Sequence, residues 1–118
     1  MRLEAKKCLY DIQQAAELLA QFTAGKTFSD YQREPMLRLA VERGLTIIGE
    51  ALSKFAKLDA ALAVRISEHR SIIAFRNILI HAYAEVDDLI VWGIVETELP
   101  LLRQEAADLL REAEGRQK

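Results

Sequence analysis

From Leu3 to about Thr23 the apolar positions Leu9, Ile12, Ala16, Leu19 and Phe22 recur at steps of three and four. That spacing puts them on one face of an amphipathic helix. The stretch "TAGKTFSD" interrupts the pattern; Gly25 and the cap candidates Ser29 and Asp30 predict a loop or a short turn of helix. A second helix is predicted from Glu34-Pro35, because proline is tolerated in a first turn. It runs to about Lys57, with Leu37, Ala40, Val41, Ile47, Ile48, Ala51, Leu52 and Phe55 mostly inward. Gly44 and Gly49 inside it each cost about 1 kcal/mol against alanine, which close packing on a neighbouring helix explains. Asp59 then caps a short helix through Ile66. The fourth helix begins between Ser67 and Arg70 and is broken by "AEVDD", after which Asp87 or Asp88 caps a last helix reaching about Glu114. Pro100 inside that helix removes one backbone bond and should bend it. Several helices, short loops and no strand pattern predict an all-α fold: an antiparallel bundle of four to five helices, one domain over residues 1–118.

The fourth helix carries an anomaly. In "IIAFRNILIHAYAEVDD", Ile72 to Asp88, the residues Arg76, Asn77 and His81 interrupt an aliphatic run. Ile72, Phe75 and Leu79 form one stripe, and Ile73 and Ile80 a second, so this helix is expected to be buried nearly all round. A buried guanidinium without a partner is very costly. Arg76 is therefore either part of a satisfied internal hydrogen-bond network, or it opens onto a small polar cavity at the bundle surface or between two copies. Asn77 and His81 stack one turn apart, whereas Arg76 and His81 diverge by roughly 140° on an unbroken helix. Either the helix unwinds near His81 or a symmetric second copy completes the site, and both can hold together.

Composition narrows the function classes. The chain has 118 residues, 51% hydrophobic and 29% charged, with a formal net charge of −2. This mild acidity argues against a broad nucleic-acid coat but leaves room for a local phosphate site. A single cysteine, Cys8, allows no internal disulfide, and with no signal peptide the expected location is cytoplasmic. The longest apolar run is too short for a membrane span. No glycine-rich phosphate loop, Ser/His/Asp arrangement or metal-ligand cluster is present in the sequence, so neither a cofactor nor a metal is expected.

The residues Arg76, Asn77, His81 and Tyr83 form the pattern R-N-x-x-x-H-x-Y, which resembles the signature of HEPN domains. More narrowly it resembles HepT-like toxins, the partners of MNT-type minimal nucleotidyltransferases in type II/VII toxin–antitoxin pairs. "AVERGLTIIGEAL" (Ala40 to Leu52) is similar to the family's second-helix segment, and "VDDLIVWGIVETELPLL" (Val86 to Leu102) to its last helix. An Arg-x4-His pair alone is a weak signal; three matched blocks in order make a strong one. The resemblance implies a HEPN-like homodimer acting as a metal-independent endoribonuclease, with Arg76 and His81 of both copies lining one cleft. It further implies neutralisation by a nucleotidyltransferase antitoxin that adds AMP to Tyr83. A second reading keeps the partner without the catalysis: a nucleotide-binding or scaffold subunit presenting Tyr83 to the nucleotidyltransferase.

Metal-free RNA cleavage needs a proton acceptor, a proton donor and a cation near the developing oxyanion. His81 suits either proton step, and Arg76 offers a fork of donors that stays charged. Asn77 is placed to orient the imidazole or the phosphate. Tyr83 is a chemically suitable acceptor for an adenylyl group, whose bulk and charge would repel RNA. Between Arg65 and Arg76 three arginines face only Glu68, so Arg65, His69 and Arg70 are further candidate RNA contacts. Arg43 and Glu50, two turns apart, read as a structural pair, and Trp92 as a core residue.

Overall fold

The computed structural model describes residues 1–67, 69–81 and 87–115, apart from the side chains of Ile78 and His81. Among these residues the helices are α1 (Leu3–Thr23), α2 (Phe28–Arg33), α3 (Pro35–Leu58), α4 (Ala60–Ala63), α5 (His69–His81), α6 (Asp88–Gly93) and α7 (Leu99–Gly115). One turn of π-helix, Ile94–Glu98, joins α6 to α7. No strand occurs among the described residues. The chain is an all-α bundle of four long rods, namely α1, α3, α5 and the α6–α7 run, with α2 and α4 as short additions.

Local chemistry sets most of the boundaries. Pro35 opens α3 at its first turn, and Asp59 ends that helix and caps α4 by accepting from the Leu62 N–H at 3.1 Å. Gly25 sits at φ +73° in the turn that leaves α1, a left-handed conformation that suits glycine. The cap of α2 is Thr27, not Ser29 or Asp30. Its hydroxyl accepts from the Asp30 N–H at 3.1 Å, while the Asp30 carboxylate accepts from the Thr27 N–H at 2.9 Å. This reciprocal pair is a capping box, and the Thr27 N–H is the main cause that holds the Asp30 carboxyl below the usual range. Asp59 does not carry its helix to Ile66; α4 stops at Ala63 and a tight turn follows. Pro100 is absorbed by the π-turn, in which the Leu99 N–H reaches back five residues to the Ile94 carbonyl.

α3 is the central element, with α1 along one flank and α5 along another, and α7 packed against α1. From α1, Leu9, Ile12, Ala16 and Leu19 are buried as expected, joined by Ala5, Cys8 and Ala15. Leu37, Val41, Leu45, Ile48, Leu52 and Phe55 answer from α3, each aliphatic contributing about 1.5–3 kcal/mol on full burial. Leu45 is a core residue that the inward set omits, whereas Ala40, Ile47 and Ala51 are only half-buried. Phe22 departs from expectation: it lies in the last turn of α1, where it lines an open apolar groove with Met36, Leu37 and Ala40. Trp92 is buried and stacks on Tyr31, with ring centroids 5.4 Å apart. Tyr31 belongs to α2 rather than to a loop and is fully buried. No helix among the described residues is long and apolar enough to cross a membrane.

Candidate active site on the fifth helix

α5 packs against α3 and carries one fully buried apolar stripe. Ile72, Phe75 and Leu79 are buried at steps of three and four, while Ile73 is half-buried, and Ala74 and Asn77 are exposed. Ile80 is 42% exposed. The expectation of burial nearly all round is thus corrected: within one chain the second apolar stripe is left partly open. α5 runs antiparallel to α3. It starts where α4 leaves the far end of α3. Just past its own end, Asp88 pairs with Arg38 in the first turn of α3 at 3.0 Å.

The crossing point of the two helices is Gly49 against Arg76. A Cβ on Gly49 would stand 2.6 Å from Arg76 Cγ and closer still to its Cβ, so any side chain there would collide with the arginine stem. Gly49 therefore exists for a close approach, as its position in the sequence suggests, and what approaches is the charged residue. The Arg76 side chain is 26% exposed. Its Nη1 donates to Asn77 Oδ1 at 2.7 Å, and its Nη2 lies 3.8 Å from Glu50 Oε1. Arg76 Nε is buried with no hydrogen-bond partner among the described residues. Arg76 and Asn77 are thereby brought together, with Glu50 as the nearby carboxylate. Glu50, read from the sequence as Arg43's partner, turns to Arg76 instead. Its neighbour Gly49 is the signal that α3 receives another helix at this point.

α5 keeps helical backbone through His81, its last residue, so the divergence of roughly 140° between positions 76 and 81 stands. The His81 side chain lies outside the described residues, as does Tyr83. The other two tyrosines lie elsewhere: Tyr10 is exposed on α1, and Tyr31 is sealed in the core, where burial pushes its phenol up. Cys8 is buried too, and desolvation raises its thiol, which leaves it a poor nucleophile.

The basic edge before Arg76 is less free than its sequence suggests. Arg65 forms a two-pronged pair with Glu112 of α7, at 3.1 and 2.6 Å. The neighbouring Ser67 gives its N–H and hydroxyl to Glu105 of the same helix, the hydroxyl at 3.0 Å. His69 Nδ1 lies 3.2 Å from the Ile66 carbonyl, and Arg70 is exposed. The premise that these arginines face only Glu68 fails, because α7 brings two carboxylates that a reading of α5 alone does not see. Among the described residues no group of three or more His, Cys, Asp or Glu side chains is arranged to hold a metal ion.

Residues 12–109 match the family model described as HepT-like, ribonuclease HepT-like. The chain is 33% identical over 102 residues to "Putative RNase MJ1380" of Methanocaldococcus jannaschii, covering 86% of this chain and 93% of that protein. It is 35% identical over 103 residues to "Probable ribonuclease HepT" of Thermococcus cleftensis, covering 87% and 93%. No solved structure is significantly similar to it. With a family match spanning most of the bundle and relatives aligned along nearly their whole length, the chain belongs to the HepT-like ribonuclease family of HEPN type.

Proposed function

We propose that this chain is an endoribonuclease toxin that cleaves RNA without a metal ion, using Arg76 and His81 at a cleft shared by two copies. The observation that carries this reading is the seat of Arg76. A guanidinium is held three-quarters buried against Gly49, with one N–H buried and unpartnered among the described residues. Such a group is costly for folding and well suited to an incoming phosphate. In the reaction the RNA 2′-hydroxyl gives its proton to one histidine as its oxygen attacks the adjacent phosphorus. The bond to the 5′-oxygen breaks, and that oxygen takes a proton from a second histidine, leaving a cyclic phosphate and a 5′-hydroxyl. Arg76 steadies the charge that builds on the phosphoryl oxygens, and Asn77, bonded to Arg76 Nη1, fixes its orientation. Two copies supply the two histidines, which agrees with the divergence of positions 76 and 81 on one regular helix. In this reading the partner is a nucleotidyltransferase antitoxin that adds AMP to Tyr83, and the cell compartment is the cytoplasm.

The test is cleavage of bulk tRNA in EDTA by the wild type, Arg76→Ala and His81→Ala, with circular dichroism and light scattering to check fold and assembly. Both variants should stay folded and lose cleavage, while the wild type is undiminished by chelation. Loss of wild-type activity in EDTA would remove the metal-free mechanism, and unfolded variants would return both residues to a structural network. Mixing the two variants asks whether the roles come from different copies. Incubation with the partner and ATP, followed by peptide mass spectrometry, should place the AMP on Tyr83.

A further inference from the structure

The guanidinium of Arg76 has an unequal set of partners. Asn77 Oδ1 is neutral and balances no charge, so among the described residues the electrostatic burden falls on Glu50. Yet Glu50 Oε1 is 3.8 Å from Nη2, well beyond the 2.7–2.9 Å of a charge-assisted hydrogen bond. The Glu50 side chain is also 51% exposed. A carboxylate so placed neutralises the arginine without occupying its donor fork. On the other side Glu50 borders an open cleft of about 250 Å³ between α1 and α3, lined also by Lys7, Asp11 and Lys54. Lys7 is tied to Asp11 at 3.1 Å. Lys54 stands one turn beyond Glu50 on α3, the spacing and order at which a glutamate and a following lysine attract.

We propose that Glu50 is an in-chain stand-in for the substrate phosphate. It balances Arg76 in the free protein and yields the guanidinium to an RNA phosphodiester, turning to Lys54 as it does so. The proposal rests on the reading of Arg76 as a phosphate-binding group. Glu50 then sets the affinity of the site for anions, because every phosphate must compete with its charge for the guanidinium. The device keeps a desolvated cation balanced when no RNA is bound, at the cost of weaker binding when RNA arrives.

Binding of a fluorescein-labelled 2′-O-methyl RNA 20-mer, which lacks the attacking hydroxyl, tests this by anisotropy at low salt. Glu50→Gln should bind about three- to fivefold tighter than the wild type, the range expected for a half-exposed ion pair. Glu50→Asp should stay near the wild type, and Lys54→Gln should bind about twofold more weakly. In an Arg76→Ala background the gain from Glu50→Gln should vanish. Unchanged or weaker binding by Glu50→Gln overturns the proposal, and so does the same gain without Arg76, which would mark a general charge effect. If Arg76→Ala alone binds and cleaves RNA like the wild type, what fails is the reading of Arg76 itself, a result separable from the Glu50 comparison.

Discussion

Two glycines five residues apart on α3 use one device for opposite ends. At Gly44 the side chain that fills the missing Cβ position is Leu19 of α1, whose Cδ2 and Cγ would stand 2.6 and 2.7 Å from a Cβ there. At Gly49 it is the stem of Arg76 from α5. The α1 crossing is dry and aliphatic, so close approach adds apolar burial and dispersion contacts. The α5 crossing buries an arginine stem together with an Nε–H that has no partner among the described residues, which contributes little to stability and costs desolvation. A bundle optimised only for folding would place an aliphatic residue at both positions. Where local consistency is broken without a gain in stability, the reason is most readily sought in function.

The largest expected effects come from exchanging what the glycines receive. Leu19→Ala should cost about 2–5 kcal/mol in urea unfolding, with the cleavage rate per folded molecule unchanged. Arg76→Met, a swap of similar volume that removes the desolvated charge, should leave stability equal or higher. Its cleavage rate should nevertheless fall about 10²–10³-fold, as when a group that stabilises transition-state charge is lost. A marked loss of stability in Arg76→Met would show that the two crossings do the same job after all.

The fold was legible because its signals are local. The apolar steps of α1 up to Leu19, Pro35 at the start of α3 and Asp59 at its end are set by near neighbours in the chain, and all three stand where expected. Thr27 was legible too, since T-F-S-D carries the capping-box spacing, whereas Ser29 and Asp30, the cap candidates of the sequence, lie inside α2. What the helical wheel of one segment does not contain is the neighbour it meets. The exposure of Ile80 and the pairings of Glu50 with Arg76 and of Arg65 with Glu112 all depend on how far one rod slides along another. The candidate site was therefore visible as a charge in an apolar helix, while its counter-ion was not. Gly49 stands out in the sequence by its cost to a helix, and only the crossing identifies what fills the space.

Adding the missing methyl group gives a smaller and sharper contrast. Gly44→Ala presses on the far end of a leucine side chain, which can give, and should cost about 1–3 kcal/mol of stability without altering the cleavage rate. Gly49→Ala presses on Arg76 at its Cβ, next to the backbone, so α5 must shift and carry the guanidinium with it. A displacement of this kind, on the order of 1 Å, is expected to lower kcat/KM by about 10–100-fold. Steady-state cleavage and urea melts on both variants would separate the cases. Equal loss of activity in the two would mean that the seat of Arg76 is not special.

The smallest effect concerns the edge that leads to Arg76. Three groups there were candidates for RNA contact, but the structure leaves them unequal: Arg65 is bound in a two-pronged pair with Glu112, His69 faces a backbone carbonyl, and Arg70 is exposed. A phosphate approaching Arg70 releases a counterion, whereas one approaching Arg65 must compete with a carboxylate already in place. Arg70→Ala should therefore weaken binding of the 2′-O-methyl RNA modestly and reduce the slope of log affinity against log salt by about 1. The double variant Arg65→Ala/Glu112→Gln removes a neutral pair and should leave that slope as it is. A flatter slope in the double variant would mean that Glu112 yields Arg65 to the substrate, as Glu50 is proposed to yield Arg76. The exchange of an in-chain carboxylate for a phosphate would then extend along the whole edge.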